Sequence, residues 1–308
     1  MRMVVRELRD LAGYWLLPVL SALLPWAWCW QVYRRAAGWS WLYRPECQAM
    51  ERGLQKLAPD GDTRLWPSRF RLGWLVEQAD LFLFLFKPAR HLRRCWRTPE
   101  GQWPDERPWI TAFFNFGFGL LVLEQMRQAG FHPSLVYAPA PDRRPPGMSF
   151  SRFAYMRLRQ RAMEKACEQR AIPTGGAWER IQQAIRDQRT VVVVADAPAR
   201  AGNRTVEVEL FGHTGQWRRG VPEMILQSGL PTVVFRVRLD WTSGQRQLVL
   251  HTIPPCTSMG QLVEQLRAVF HQGMREHPET WLYWTALEVF IPALADTVGD
   301  QQEAQPPG

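Results

Sequence analysis

The clearest pattern along the chain is a series of short apolar runs that alternate with amphipathic stretches from about residue 109 onwards. Apolar runs of this length without polar alternation are typical of strands buried on both faces of a sheet. Four consecutive valines within 190–195 are the plainest example. We predict strands at 109–114, 134–137, 190–195, 206–210, 232–238 and 247–253. We predict helices at 120–129, 150–167, 178–187, 220–228 and 259–275.

Strands that alternate with helices indicate an α/β fold, with a mostly parallel sheet flanked by helices. The chain before this region is apolar and then helical in pattern, and the end of the chain is polar with two prolines. The predicted organisation is an N-terminal membrane helix at 1–36, a helical region at 37–100, the α/β domain at 101–295 and a disordered tail at 296–308.

The apolar character is strongest at residues 11–33, which contain no charged side chain and end in a cluster of aromatic residues. About 20 apolar residues suffice to cross a bilayer as a helix, and Trp collects at membrane interfaces. This pattern predicts a membrane-associated helix. A signal peptide fits poorly, because bulky aromatics fill the region where cleavage would occur. A buried core helix remains a lesser alternative.

A second apolar run at residues 81–86 is followed by Lys87 and several arginines. It is too short to span a bilayer. Two interpretations are equally open: a buried segment, and an interfacial helix whose arginines extend toward the headgroups.

Composition narrows the classes of function. The net charge is +9 and the chain holds 16 Trp, a combination that suits an anionic membrane or nucleic acid. No nucleic-acid-binding motif is present, so nucleic acid is not expected as a partner. Five scattered cysteines form no CxxC pair. This spacing indicates neither a zinc ribbon nor a thioredoxin-type site. We predict no metal site and no cofactor.

Several blocks resemble, in order and approximate spacing, the motifs of one enzyme family. The blocks are Phe-Phe-Asn-Phe-Gly at 113–117, Leu-Val-Tyr-Ala-Pro at 135–139, the valine strand with Asp196, Val-Glu-Leu-Phe-Gly at 208–212, the segment 226–234 and His-Pro-Glu-Thr-Trp-Leu-Tyr-Trp at 277–284. Together they cover most of the chain. The chain resembles the late acyltransferases of lipid A biosynthesis, within the lysophospholipid acyltransferase superfamily.

The resemblance implies transfer of a fatty acyl group from acyl carrier protein or coenzyme A to a glycolipid or phospholipid hydroxyl. It implies a location at the cytoplasmic face of a bacterial-type inner membrane, against an anionic membrane surface. The family motif is a histidine followed, after four residues, by an acid. The histidine takes the proton of the attacking hydroxyl, and the carboxylate orients the imidazole.

The chain departs from this motif at the reacting positions. Asn115 stands where the family has histidine, and Leu120 stands where it has the acid. An amide is not a base, and leucine cannot orient one. Ala138, Ala197 and Thr285 replace the family's arginine, glutamine and histidine in three further blocks. The pattern indicates either a degenerate acyltransferase or one whose chemistry has been rebuilt.

Some residues remain candidates for a site. His213 is the best-placed substitute base, although a solvent-exposed loop histidine is the more common situation. Asp196 ends a buried strand, where α/β folds bind ligands, and it equally suits a turn. The candidate catalytic residues are Asn115, His213 and Asp196. The candidate substrate-binding residues are Gly117, Arg218, Arg219, Arg236 and Arg238, with arginines chosen for bidentate phosphate contacts. A solvated basic face is the open alternative for the arginines.

Two functions follow from the sequence. The predicted function is an acyltransferase acting on a membrane lipid. The alternative is a catalytically inactive relative that binds lipid or acyl carrier beside an active enzyme, which the replaced dyad favours. A soluble α/β binding protein with a signal peptide ranks behind both, because the N-terminal run is rich in aromatics.

Overall fold

A six-stranded sheet forms the centre of the molecule. The computed structural model describes residues 2–57, 65–199 and 202–295. The sheet has the order β3-β2-β4-β1-β7-β8, and only the edge strand β8 is antiparallel to its neighbour. The strands are β1 Ile110–Phe113, β2 Pro133–Tyr137, β3 Ile172–Pro173, β4 Thr190–Val194, β5 Thr205–Leu210, β6 His213–Arg218, β7 Thr232–Leu239 and β8 Arg246–Ile253. The predicted mostly parallel α/β sheet is confirmed.

Helices cover both faces of this sheet, as expected for parallel strands buried on both sides. From residue 44 onwards they are α4 Arg44–Leu57, α5 Trp66–Phe86, α6 Ala89–Arg94, α7 Gly119–Gln128, α8 Phe150–Ala166, α9 Trp178–Arg186, α10 Gly220–Ser228, α11 Met259–Glu276 and α12 Leu287–Phe290. One core cluster joins α4, α9, α10 and α11 to residues such as Val191 and Val193. A second cluster joins α5, α7 and α8 to Val192 on the opposite face.

The N-terminal apolar stretch does not form the single membrane helix that the sequence predicts. It folds as α1 Arg2–Leu11, a π-helical turn Ala12–Leu16, α2 Leu20–Leu23 and α3 Trp26–Ala36. Pro18 and Pro25 account for the interruptions, because proline lacks the N–H that a continuing helix needs. Among the described residues, we find no helix whose length and apolarity would let it traverse a bilayer.

Much of this stretch packs into the protein. Cys29, Trp30 and Tyr33 are buried in the second core cluster. The Trp30 indole N–H donates to the carbonyl of Thr242 at 2.8 Å, and the Tyr33 hydroxyl lies 3.1 Å from the carbonyl oxygen of Leu17. Trp30 and Tyr33 therefore act as core residues here, whereas Trp28 of the same aromatic cluster is exposed.

Two further expectations are resolved by the packing. The apolar run 81–86 is the last part of the 21-residue helix α5, with Leu81, Phe82 and Leu83 buried and Phe86 exposed. The buried interpretation is therefore correct for its first half. The predicted tail at 296–308 lies outside the described residues.

Two strands were not predicted from the sequence, the two-residue β3 and the longer β6. The chain turns at Phe211 and Gly212, both in the left-handed region, and β6 then pairs antiparallel with β5. Two consecutive residues with positive φ are typical of a tight hairpin turn. His213 therefore begins a strand, whereas the sequence places it in a loop before a helix.

Candidate functional site

The site forms where the two central strands end. The backbone N–H of Asn115, just after β1, lies 3.0 Å from each carboxylate oxygen of Asp196, just after β4. β1 and β4 are adjacent and parallel, so their carboxyl ends meet at one edge of the sheet, where α/β proteins bind ligands. Two of the predicted site residues are thus brought together.

Asp196 is completely buried and holds this edge together. Besides the Asn115 N–H, it accepts the indole N–H of Trp281 at 2.8 Å. The carbonyl of Asn115 in turn accepts the N–H of Leu282 at 2.9 Å. Burial raises the pKa of Asp196 to about 7, although its hydrogen bonds act in the opposite direction. The geometry makes Asp196 a positioning residue, because its oxygens face protein donors.

A cavity of about 220 Å³ lies beside Asn115, and we call it the motif cavity. Asn115 and Leu120, the two positions that match the family's reacting pair, both line it. Other residues along its wall include Tyr14, Phe113, Tyr137, Arg152, Tyr155, Arg159, Met163 and Tyr283. The two positions that the resemblance equates with a histidine and an acid therefore line one space, although neither side chain can accept a proton from a substrate.

The segment after Asn115 is held by a carboxylate from α5. Gly117 and Phe118 both adopt positive φ. Glu77 accepts the backbone N–H of Phe118 and also pairs with Arg159, and both members of this ion pair line the motif cavity. Glycine at position 117 thus permits a backbone conformation that other residue types rarely adopt. It is absent from the cavity lining.

A second cavity, of about 380 Å³, lies at the carboxyl ends of β2 and β4, and we call it the arginine cavity. Its wall is largely apolar and also includes Arg204 and Arg218. Its apolar lining includes Val136, Trp178, Ile181, Val193, Val221 and Met224. Tyr137 and Tyr283 line both cavities, so the two spaces adjoin at these rings. Burial raises the pKa of Tyr283.

The fold places the four predicted substrate-binding arginines at different locations. Arg218 lines the arginine cavity, whereas Arg219 pairs with Glu223 at 2.7 Å on the exposed side of α10. Arg236 and Arg238 both pair with Glu276, at 2.7 and 3.0 Å.

Neither Arg236 nor Arg238 lines either cavity. Burial opposes ionisation of Glu276, but the hydrogen bonds from the two arginines prevail and lower the pKa of this carboxyl to about 2. The two arginines thus serve an ion-pair cluster at the sheet edge.

His213 is not brought to the site. It pairs with Leu210 across the hairpin turn and lines neither cavity. The residues that the sequence did not single out are Glu77, Tyr137 and Tyr283. Both tyrosines lie within the quoted sequence blocks, which was a usable signal, whereas no local pattern marks Glu77. Arg159 belongs to the run of arginines between residues 143 and 161 that could form a basic surface, and the structure pairs it with Glu77 instead.

Comparison with known proteins adds no identification. No family model matches the sequence, and no curated protein matches it either. We therefore infer the function from the geometry of the two cavities.

Proposed function

We propose that this protein binds the acyl chain of a lipid or acyl thioester in the two adjoining cavities and does not itself transfer it. The observation that carries the proposal is the shared wall formed by Tyr137 and Tyr283. One side of this wall has the motif positions Asn115 and Leu120, and the other side has a largely apolar space. A concave apolar site with a few polar groups is typical of small-ligand binding.

The chemistry of the arginine cavity suits an amphiphile. Burial of each methylene group of an acyl chain stabilises the complex by about 0.8 kcal/mol. Trp178, Ile181 and Met224 supply the apolar wall, and the charge of Arg218, which also lines the cavity, suits a carboxylate or phosphate. The Asn115 side chain can hydrogen-bond a carbonyl group without acting as a base.

The absence of a base argues against transfer. When a hydroxyl attacks a thioester, a C–O bond forms, the C–S bond breaks and the hydroxyl proton must pass to an acceptor. Among the described residues that line the two cavities, none is a histidine. The carboxylate of Glu77 is already paired with Arg159.

Acyl transfer to a membrane lipid is the second candidate. The observation in its favour is that residues 115 and 120 still share one cavity, at the place where the family's histidine and acid would stand. In the family that the chain resembles, this reaction takes place at the cytoplasmic face of the inner membrane.

Titration with an NBD-labelled fatty acid tests the binding proposal, with unlabelled acyl-coenzyme A as competitor. Ile181→Trp fills the arginine cavity, and we expect affinity to fall about tenfold or more. Thr174→Trp narrows the same cavity from an exposed position and leaves the core unchanged. Gln182→Trp is the matched control, because Gln182 is exposed on the same helix and does not line the cavity.

Equal affinity for all three variants and the wild type would overturn the binding proposal. A parallel assay supplies a radiolabelled acyl-carrier thioester and a bacterial membrane lipid extract. Label found in lipid with the wild-type protein would replace the proposal by the second candidate, whereas saturable binding without labelled lipid supports it.

A further inference from the structure

Helix α1 is amphipathic, but its apolar side faces outward and the polar residue Asp10 faces the protein. Val4, Leu8 and Leu11 recur at helical spacing, and Val5 lies beside them. Val4, Val5 and Leu8 are each 61% exposed. Asp10, on another side of the helix, is buried. A helix on the surface of a globular protein normally buries its apolar stripe and exposes its polar side.

Polar contacts with α8 fix this orientation. Glu7 accepts the backbone N–H groups of Phe150 and Ser151, each at 2.8 Å. Asp10 accepts the hydroxyl of Ser149 at 2.6 Å, and that hydroxyl accepts the N–H of Arg152. The two carboxylates of α1 therefore satisfy the first turn of α8, where free N–H groups and the helix dipole favour negative charge.

The exposed apolar surface extends beyond α1. Phe150, whose N–H is held by Glu7, is 67% exposed, and Leu16 in the following π-helical turn is also exposed. Ten of the fourteen exposed large hydrophobic side chains in the described part of the chain lie between residues 3 and 41. Such concentration of exposed apolar residues marks an interaction surface.

Arginine side chains lie beside this surface. Arg6 in α1 donates to the carbonyl of Gly147, and Arg144 in the same loop donates to the carbonyl of Met148. Glu7 and Asp10 are the only acids of α1, and both are engaged with α8. Basic side chains therefore accompany the apolar face, an arrangement that suits anionic lipid headgroups.

We propose that Met3, Val4, Val5, Leu8, Leu11 and Phe150 form a docking face that lies in the surface of an anionic bilayer. Docking would be interfacial, with α1 parallel to the membrane and its carboxylates facing the protein. Tyr14 and Arg152, the near neighbours of this face along the chain, line the motif cavity. The docking face is therefore adjacent in sequence to two residues of the motif cavity wall.

Flotation with lipid vesicles tests the docking face. We expect the wild-type protein to bind vesicles of equal phosphatidylglycerol and phosphatidylcholine, and to bind pure phosphatidylcholine about tenfold more weakly. Leu8→Glu and Val4→Glu place a charge in the apolar face, and each should reduce binding about tenfold or more. Val289→Glu is the control, because Val289 is an exposed apolar residue on α12.

Three results would overturn the proposal. The first is binding by Leu8→Glu and Val4→Glu at the wild-type level, and the second is no vesicle binding by the wild type. The third is a second copy of this chain as the occupant, seen by light scattering as a dimer that Leu8→Glu dissociates while vesicles stay unbound. Both substitutions are at exposed positions, and circular dichroism verifies the fold. Fatty-acid binding measured without vesicles is independent of these outcomes, so failure of docking leaves the cavity proposal separately testable.

Discussion

At the scale of single residues, the most informative group is the buried carboxyl of Asp196. It joins the end of β4 to Asn115 and Trp281, which come from two other parts of the chain. The sequence marks this aspartate as a functional candidate because it ends a strand. The structure shows why the position suits an acid: buried N–H groups left without an acceptor are costly.

Replacement of Asp196 should reveal this role. We expect Asp196→Ala to lower the free energy of unfolding by about 2–4 kcal/mol, because it removes the acceptor of two buried donors. The raised pKa predicts a pH effect as well. Between about pH 4 and pH 7 the folded protein keeps a proton on Asp196 that the unfolded chain has lost, so this group's contribution to stability falls as pH rises.

Urea denaturation over this pH range measures both effects. As pH rises, the free energy of unfolding should fall faster for the wild type than for Asp196→Asn, whose amide cannot titrate. The two slopes should differ by up to about 1.4 kcal/mol per pH unit. Asp142→Ala serves as the control, because Asp142 is exposed in a loop. Parallel pH profiles for the wild type and Asp196→Asn would contradict the assignment.

At the scale of elements, the contact between α1 and α8 decides which side of α1 faces outward. The carboxylate of Glu7 caps the first turn of α8 from a distant part of the chain. A hydrogen bond from the Ser151 hydroxyl is the largest of the effects that lower the pKa of Glu7. An exposed apolar face is thus maintained by polar interactions on the other side of a short helix.

Loss of this cap should loosen α1 first. We expect Glu7→Ala to reduce stability by about 1 kcal/mol, as for other helix caps, and to accelerate hydrogen exchange in residues 3–11. Because the folded pKa is lowered, the contribution of Glu7 is present above its unfolded pKa and is lost as pH falls through the folded value.

Hydrogen-exchange mass spectrometry with Glu106→Ala as the control distinguishes a local from a general effect, since Glu106 is exposed in a loop. If the amide hydrogens of α1 exchanged at the wild-type rate in Glu7→Ala, the prediction would be wrong and the other contacts of α1 would hold it in place.

At the scale of the whole molecule, the fold brings Asn115 and Leu120 to the wall of one cavity. Asn115 follows a strand and Leu120 belongs to α7, yet both border the motif cavity beside the same tyrosines. The parallel sheet and its helices thus form a space in which two side chains, at positions 115 and 120, lie along one wall.

Introducing a histidine at position 115 and an acid at position 120 tests whether this cavity can support acyl transfer. We expect Asn115→His with Leu120→Asp to increase acyl-thioester turnover by about a hundredfold over the wild type, because a positioned general base contributes roughly 10²–10⁴. Asn115→His alone should gain less, because nothing orients its imidazole. The measurement is release of coenzyme A from an acyl thioester.

Circular dichroism must show that the double variant is folded, because Leu120 is buried. Asn115→Gln with Leu120→Asn is a matched control without a base. Should a folded double variant turn over no faster than this control, the two positions would not form a potential active site.

Local pattern alone determined the α/β architecture. The four valines of β4 and the helices that follow Gly-rich turns agree with the structure closely, because strand and helix formation reflects periodicity and turn residues that are local in sequence. Tertiary structure decided the rest. Residues 11–33 pack as several short helices, Arg236 and Arg238 pair with Glu276, and Glu77 reaches the loop after β1. These contacts join residues far apart in the chain, so burial and partners were settled only by how the elements pack.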